Sequence, residues 1–325
     1  MPPTGAVPGL RAVAIPSWNL EQGSADVAAH TGSLDEVSPE AHRIGPWGGL
    51  CSAARDAAGA TAMETLRATG LVLIPSISNR VDGHRSPDVV CTMLQDPDRR
   101  ARHVQAVRDL VASHGYHGVD LDYQGLHRED RAPFSRFVTQ LADALHERDR
   151  RLSVTVHATA TEHLDEPASP AHDYAALGLA ADEVRLMTWD YHDPTTPAGP
   201  SAPVDWVADV LRHAAERVPA EKLLLGVTTS GYDWVSRGGV AVGHPEAVGL
   251  AEHHAGGRVE FDPLGEAPWF RYLDPAGTAH EVWFEDARSL AVKRRRAAEI
   301  GVRGIVLWLS ATPDPEVWSG LATDG

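Results

Sequence analysis

Short apolar segments rich in β-branched residues alternate along the chain with longer segments of helical period. Near-continuous apolar runs of this kind are typical of strands buried on both faces of a parallel sheet. The second such segment contains Pro and Gly residues, which are uncommon inside strands. The pattern predicts eight strands, at residues 11–18, 42–49, 71–78, 118–122, 151–159, 183–190, 222–230 and 304–310.

The segments between these strands have the spacing of amphipathic helices. Residues 203–218 and 289–301 each follow a helical period, and Gly301 provides a C-terminal stop for the second. Residues 132–148 carry one apolar stripe at the i, i+3, i+4, i+7 spacing, formed by Phe134, Phe137, Val138, Leu141 and Leu145. Eight strand–helix units in a chain of 325 residues favour an α/β fold, a (β/α)8 TIM barrel, over an open doubly wound sheet.

Residues 232–284 do not fit this alternation. The segment is rich in Gly, His and Pro and is too long for a simple connection. We therefore expect a small inserted subdomain between the seventh strand and its helix, within a single barrel domain that spans residues 1–325.

The net charge of the chain limits the classes of partner that it can bind. A formal net charge of -16 argues against nucleic acid and anionic membrane, because phosphate contacts need clustered Lys and Arg. The basic run at 293–296 lies on a predicted helix and is expected to be solvated. No apolar run approaches the roughly 20 residues of a membrane span, and the N-terminal residues lack the pattern of a signal peptide. We therefore expect a cytoplasmic protein of unknown oligomeric state.

Neither a metal nor a cofactor is expected. Cys51 and Cys91 are too few for a disulfide framework, and no Cys-x-x-Cys motif is present. The nearest histidine grouping, His114, His117 and Asp120, has a spacing that does not aim its side chains at one point. The glycine runs also lack the arrangement that holds a nucleotide.

The fourth predicted strand carries a regular polar pattern, in the sequence HGVDLDYQGL at residues 117–126. Asp120, Asp122 and Gln124 alternate along it and therefore share one face. In a barrel this face points into the lumen near the C-terminal mouth, where catalytic residues lie. Two carboxylates in a dry lumen do not both ionise freely, so one should hold a proton near neutral pH. A pair of buried aspartates that only fixes the strand register is the alternative.

Four segments resemble the signatures of family-18 glycoside hydrolases, the chitinases and their relatives. GVDLDYQ is similar to the strand-4 signature Asp-Gly-x-Asp-x-Asp-x-Glu, and LMTWDYHDPTTPAGPSAPVDWV is similar to the strand-6 segment with the loop and helix after it. VPAEKLLLGVTTSGYDW resembles strand 7, and HEVWFEDARSLAVKRRRAAEIGVRGIVLWLS resembles the last helix and strand 8. The resemblance extends from about residue 11 to residue 318 and favours the bacterial branch that includes spore-cortex N-acetylglucosaminidases.

The resemblance implies roles for four residues. Asp122 would orient the 2-acetamido group of the substrate, and Asp120 would support Asp122. Asp190 would contact the reacting sugar, and Trp308 would form the apolar floor beneath it. In this family the acetamido oxygen attacks the anomeric carbon while a Glu protonates the leaving oxygen.

Three positions depart from the family pattern. The Glu position is Gln124, the Tyr of the strand-6 motif is Trp189, and the first Asp of the strand-4 signature is His117. An amide cannot give up a proton at ordinary pH, and losing a general acid should slow hydrolysis roughly 10²–10⁴-fold. Ordinary chitinase activity is therefore predicted to be weak or absent. An engineered Glu→Gln change would explain position 124 but neither of the other two departures.

Further side chains at the predicted strand ends are candidates for binding a small molecule or an amino sugar in the barrel mouth. Aromatic faces at these positions can stack on a sugar or another flat ligand, and polar groups can hydrogen-bond it. The candidate binding residues are Trp18, Asn79, His157, Trp189, Tyr191, Tyr232 and Trp308.

Three functions are consistent with this pattern. The first is a repurposed enzyme that uses Asp122 and Asp190 for acid–base chemistry on a small non-chitin substrate, such as a biosynthetic intermediate. We favour it because pure binding does not need a strained pair of aspartates. The second is a non-hydrolytic, chitinase-like carbohydrate-binding protein. The third is an N-acetylglucosamine-type hydrolase with a substitute proton donor, for which the candidates are Glu129, Asp165, Glu166 and Asp193.

Overall fold

The computed structural model describes residues 9–54, 56–81, 83–160, 170–236 and 238–322. In these residues a mainly parallel sheet curls into a barrel of eight strand positions surrounded by helices, which confirms the predicted (β/α)8 fold. The barrel strands are Leu10–Ile15, Glu36–Pro39 with His42–Ile44, Val72–Leu73 with Ser76–Ser78, Gly118–Asp122, Arg151–His157, Glu183–Met187, Leu223–Thr228 and Gly304–Trp308.

The ring closes between barrel strands 2 and 3, each of which has two halves. Glu36–Pro39 pairs in parallel with Val72–Leu73, and His42–Ile44 pairs in parallel with Ser76–Ser78. Because both pairs join the same two barrel strands, the sheet has no free parallel edge there.

Barrel strand 2 begins earlier than the sequence pattern predicts. The predicted segment was 42–49, but the strand starts at Glu36, and Leu50–Ser52 turns back to pair antiparallel with its second half. Glu36 and Ser38 both bond the guanidinium of Arg185 inside the barrel. These polar residues hide the strand from a search for apolar runs.

The helices surround the sheet and pack their apolar faces against it. The predicted segments 132–148, 203–218 and 289–301 are confirmed as helices, and Gly301 ends the last of them with φ of 83°. No helix in the described ranges is long and apolar enough to cross a membrane. The helices are Leu20–Ala29, Ala57–Ala68, Pro87–Gln95, Pro97–His114, Arg131–His146, Tyr174–Ala180, Val204–Ala215, His244–His254, Ala287–Ile300 and Glu316–Ala322.

The outer face of barrel strand 4 is fixed by the core between sheet and helices. Val119, Leu121 and Tyr123 are fully buried there. The Tyr123 ring stacks on Phe137 with centroids 6.4 Å apart, and its hydroxyl is 2.7 Å from His103 Nε2. Since side chains alternate along a strand, this packing directs the opposite set into the lumen.

A buried ion network crosses the lumen near the first residues of the barrel strands. Arg185 contacts Glu36 and Glu183, and both carboxylates are fully buried. Arg151 reaches the same two residues at 2.7 and 2.9 Å. The network closes the lower end of the lumen and places a fixed cation beneath the mouth.

A second sheet follows barrel strand 7. A helix, His244–His254, packs on it around a small core that includes Val242, Phe270 and Val282. The chain then returns to the barrel through the helix Ala287–Ile300. The strands of this antiparallel sheet are Ser230–Val235, Gly238–Gly243, Glu260–Phe261, Pro268–Leu273 and Ala279–Trp283.

Candidate active site in the barrel mouth

A cavity of about 540 Å³ opens at the mouth of the barrel. Its size falls within the roughly 300–1,000 Å³ of small-molecule sites. The ends of the barrel strands and the second sheet form its walls. The predicted site residues that it brings together are Trp18, Asp120, Asp122, Gln124, Trp189, Asp190, Tyr232 and Trp308.

Asp120 is the deeper of the two aspartates on barrel strand 4. Its carboxylate accepts hydrogen bonds from Ser76 Oγ at 2.9 Å and from Thr155 Oγ1 at 3.0 Å. Arg185 Nη1 lies 3.8 Å from its Oδ1. These contacts hold the Asp120 carboxylate in place beneath Asp122.

Asp122 lies above Asp120 and is also buried. Its burial raises the pKa of its carboxyl to about 7, and the nearby Glu40 and Asp120 carboxylates act in the same direction. A hydrogen bond from Gln124 and the charge of Arg80 oppose the shift. The direction of this shift is the one that the sequence predicts for one member of the pair.

Gln124 is held next to Asp122 from both ends. Its backbone N–H donates to Asn79 Oδ1 at 3.0 Å, and its backbone carbonyl accepts from Asn79 Nδ2 at 2.8 Å. Its side-chain Nε2 donates to Asp122 Oδ1 and lies 3.3 Å from Met187 Sδ. Its Oε1 is buried and has no hydrogen-bond partner in the described part of the chain. An unpaired buried acceptor costs about 1–3 kcal/mol, which a donor on a ligand would relieve.

Three predicted binding residues lie outside the cavity lining. Asn79 is buried, and its side-chain amide forms two hydrogen bonds with the Gln124 backbone. The His157 ring stacks on His172 at 5.7 Å, and burial lowers the pKa of His157 to about 3. Tyr191 is exposed and packs against Trp206 at 5.2 Å.

Asp190 follows barrel strand 6 in a left-handed conformation, with φ of 61°. Its backbone N–H donates to Ser201 Oγ at 3.0 Å, and its Oδ1 accepts from the Tyr232 hydroxyl at 2.6 Å. Partial burial of the carboxyl raises the pKa of Asp190, and the bond from Tyr232 opposes this. The residue as a whole is exposed, so the shift matters less here than at Asp122.

Three tryptophans form the apolar wall of the cavity. The rings of Trp189 and Trp308 stack with centroids 6.0 Å apart, and Trp18 meets Trp308 edge-on at 5.9 Å. The Trp189 ring lies over Gly226, where an added Cβ would be 2.6 Å from the ring. This stack offers a flat apolar surface to a sugar ring.

The cavity also contains charged residues that the sequence analysis did not identify. Arg80 and Arg85 come from a hairpin after barrel strand 3, and Glu246 comes from the helix of the second sheet. The Asp-Gly dipeptide at positions 82–83 is a hairpin signal in the sequence that could have located the first two. No sequence signal placed Glu246 near the barrel mouth.

Two of the predicted substitute proton donors do not line the cavity. Glu129 is exposed on the turn Arg128–Asp130, and neither it nor Asp193 lines the cavity. Asp165 and Glu166 fall outside the described residues. Within the described ranges, no group of three or more His, Cys, Asp or Glu side chains is arranged to hold a metal ion.

The sequence profile of glycosyl hydrolases family 18 matches residues 61–311. The match covers most of the chain and includes the second sheet and most of the residues that line the barrel mouth. The protein therefore belongs to glycoside hydrolase family 18, which confirms the resemblance seen in the sequence.

Several members of the family are similar to this protein in sequence. The protein YdhD of Bacillus subtilis (strain 168) is 30% identical over 282 residues, covering 84% of this chain and 66% of YdhD. The cortical fragment-lytic enzyme of the same organism is 27% identical over 313 residues, covering 93% of this chain and 70% of that enzyme. The chain thus spans about two-thirds of the length of both relatives.

Solved structures agree with the fold. The chitinase from Chromobacterium violaceum ATCC 12472 superposes with a TM-score of 0.90 at 26% identity, covering 97% of this chain and 98% of that one. The spore cortex-lytic enzyme SleL from Bacillus cereus shares the fold with a TM-score of 0.88 at 24% identity, covering 99% of this chain and 75% of SleL.

Proposed function

We propose that this protein binds a small amino-sugar ligand in the barrel mouth and performs acid–base chemistry on it through Asp122, with little hydrolysis of chitin. The observation that carries the proposal is Asp122 itself, a buried carboxyl in the cavity with a pKa of about 7. An amide at position 124, where the family resemblance places the acid, supports a reaction other than ordinary hydrolysis.

Asp122 is suited to passing a proton because its two charge states are nearly balanced. The Gln124 N–H stabilises the ionised form, whereas burial and the neighbouring Asp120 favour the protonated form. A general acid or base works best when its pKa lies near the operating pH. Gln124 then orients Asp122 and does not itself exchange a proton.

The rest of the cavity suits an amino sugar. The stacked pair Trp189 and Trp308 offers an apolar face, and Asp190 and Tyr232 offer polar contacts at the rim. The unpaired Oε1 of Gln124 accepts a hydrogen bond from an N–H or O–H of the ligand. The names of the relatives, a chitinase and a cortical fragment-lytic enzyme, also support an amino-sugar ligand.

The test compares wild type with Gln124→Glu on N-acetylglucosamine oligomers, with binding and hydrolysis measured separately. We expect wild type to bind them and to hydrolyse them roughly 10²–10⁴-fold more slowly than the Glu variant. The matched control is Gln140→Glu, an exposed helix position where Gln140 accepts from Arg100 at 3.0 Å, and it should hydrolyse at the wild-type rate. Wild-type hydrolysis as fast as that of Gln124→Glu would show that the missing acid at position 124 does not limit hydrolysis.

A non-hydrolytic carbohydrate-binding protein is the second candidate, and the aromatic stack beside an amide favours it. Asp122→Asn separates the two functions. In an enzyme it abolishes conversion of the sugar, followed by mass spectrometry and NMR, while binding persists. In a binding protein no product forms in either form of the protein.

A hydrolase with a substitute donor is distinguished by Glu246→Gln, because Glu246 is a further carboxylate of the cavity lining. If wild type hydrolyses the oligomers and this variant does not, Glu246 supplies the proton and the acid–base proposal for Asp122 is wrong.

A further inference from the structure

A short hairpin after barrel strand 3 carries two arginines to the cavity. Its strands, Arg80–Val81 and His84–Arg85, pair antiparallel, and Arg80 and Arg85 are direct register partners. Both side chains line the cavity. Like charges placed directly opposite each other on a hairpin are destabilising, so this arrangement needs negative charge close by.

Arg80 has that compensation within the protein. Its Nε lies 3.8 Å from Glu40 Oε1, and its Nη1 donates to the Gly83 carbonyl at 3.0 Å. Its guanidinium also lies 5.2 Å from the centroid of the Trp18 ring. These contacts fix Arg80 at the wall of the cavity.

Arg85 has no such compensation. In the described part of the chain its guanidinium forms neither an ion pair nor a hydrogen bond. Arg85 is exposed at the rim of the cavity, and partial burial of its guanidinium lowers its pKa while Asp122 and Asp190 act in the opposite direction. It is therefore a poorly compensated cation at the mouth of a chain whose net charge is -16.

Two acids of the cavity, Asp122 and Asp190, are engaged elsewhere. Asp122 accepts from the Gln124 amide, and Asp190 accepts from the Tyr232 hydroxyl. Both lie close enough to influence the charge of Arg85 but beyond ion-pair contact with it. The guanidinium therefore remains available to a ligand.

We propose that Arg85, supported by Arg80 across the hairpin, binds a carboxylate on the sugar ligand, so that the substrate is an acidic amino sugar. This inference rests on the proposed function of the cavity. A guanidinium binds a carboxylate or a phosphate through two parallel hydrogen bonds. The singly charged carboxylate fits this cavity better, because Asp122, Asp190 and Glu246 repel a doubly charged phosphate more strongly.

Two disaccharides test the inference, because they differ by one lactyl carboxylate. The neutral probe is N,N′-diacetylchitobiose, and the acidic probe is N-acetylglucosaminyl-N-acetylmuramic acid. We expect wild type to bind the acidic probe about tenfold more tightly in calorimetry at low salt, which corresponds to about 1.4 kcal/mol. The preference should shrink as salt is added, because part of Arg85 remains in contact with water.

Three variants locate the effect. Arg85→Gln should abolish the preference, and Arg85→Lys should keep only part of it, since an ammonium cannot form the paired hydrogen bonds. The control is Arg212→Gln, which removes the same charge from an exposed helix position outside the cavity and should keep the full preference. An unchanged thermal midpoint for Arg85→Gln shows that the fold is intact.

Each outcome decides the inference. Equal wild-type affinity for the two probes overturns it and leaves the proposed amino-sugar function standing. A preference that survives in Arg85→Gln also overturns it, because the carboxylate is then bound elsewhere. Failure to bind either probe overturns the proposed function as well. As a third probe, N-acetylglucosamine 6-phosphate bound more tightly than the acidic disaccharide would overturn the choice of a carboxylate.

Discussion

The protonation of Asp122 depends on the charges around it in the lumen. It shares its surroundings with Asp120 and Glu40, receives one hydrogen bond from Gln124, and has almost no contact with solvent. A change of one charge in this group therefore alters the protonation of Asp122, and through it the proposed chemistry.

The pKa of Asp122 makes a prediction about stability. Because the pKa is raised from 3.8 to about 7, the folded state keeps a proton that the unfolded state loses as the pH rises above 4. The free energy of unfolding should therefore fall as the pH rises from about 4 through 7. Asp122→Asn should remove this decline, which is on the order of a few kcal/mol. Urea unfolding of both proteins at pH 5, 7 and 9 measures the difference.

The comparison between variants is needed because burial also raises the pKa of Glu36 to about 7, and that contribution is common to wild type and Asp122→Asn. The control is Asp209→Asn, which removes an exposed carboxylate and should leave the pH dependence of wild type intact. If Asp122→Asn and wild type lose stability in parallel between pH 5 and 9, Asp122 is ionised throughout.

Part of the candidate site was predictable from single residues. The alternation of Asp120, Asp122 and Gln124 indicated a lumen-facing set, because strand geometry alone determines which side chains share a face. Asn79 and His157 were predicted to bind ligand, yet they pack against neighbouring protein groups. A polar residue at a strand end has backbone groups within reach, and the sequence does not show which partner it takes.

At the scale of elements, the sequence pattern located seven barrel strands and three helices close to their observed positions. The predicted position of strand 2 was wrong because Glu36 and Ser38 face the ion network around Arg185 and give the strand no apolar run. An apolar run signals a strand whose lumen side is apolar, and it fails where the lumen is charged. Arg85 and Glu246 were missed for a different reason, since loops and an inserted helix carry them to the mouth.

The contact between barrel strands 6 and 7 makes a prediction about one glycine. A Cβ at Gly226 would lie 2.2 Å from the Leu186 carbonyl oxygen and 2.6 Å from the Trp189 ring. Gly226→Ala should therefore destabilise the fold by about 1–3 kcal/mol, because backbone and ring must both shift. It should also move Trp189 off Trp308, which changes the near-ultraviolet circular dichroism of the stacked pair.

A second glycine provides the matched control with the opposite sign. Gly249 lies inside the helix His244–His254, and a Cβ there meets nothing within 4 Å. Gly249→Ala should stabilise the protein by about 0.5–1 kcal/mol, because alanine loses less backbone freedom in a helix. Thermal unfolding measures both variants. Equal effects of the two substitutions would contradict the close approach at Gly226.

At the scale of the whole molecule, the cavity belongs to the barrel and the second sheet together. The barrel supplies Asp122 and Asp190, and the second sheet and its helix supply Tyr232 and Glu246. The Tyr232 hydroxyl bonds Asp190 at 2.6 Å and so joins the two parts at the rim. A ligand in the mouth therefore contacts both parts, and its affinity depends on how they are joined.

Removing that bond tests whether it serves the ligand or only the fold. In Tyr232→Phe, Asp190 loses the donor that holds its pKa down, so its pKa should rise and its carboxylate should lose its fixed orientation. The affinity for N,N′-diacetylchitobiose should fall by up to about tenfold, since ordering the released Asp190 side chain on binding costs about 0.5–1.5 kcal/mol. The loss of affinity should be greatest at acid pH, because the higher pKa lets Asp190 take up a proton at a higher pH in Tyr232→Phe than in wild type. Calorimetric titration at pH 5 and 8 measures both effects.

The control removes a similar hydroxyl inside the second sheet. Tyr272 donates to Asp233 at 2.8 Å, and Asp233 keeps a second partner in His280 at 2.9 Å. Tyr272→Phe should therefore cost about 1 kcal/mol of stability and leave the affinity unchanged. If Tyr232→Phe behaves in the same way, the bond to Asp190 only ties the second sheet to the barrel. Loss of affinity in Tyr232→Phe alone shows that the second sheet holds Asp190 in position for the ligand.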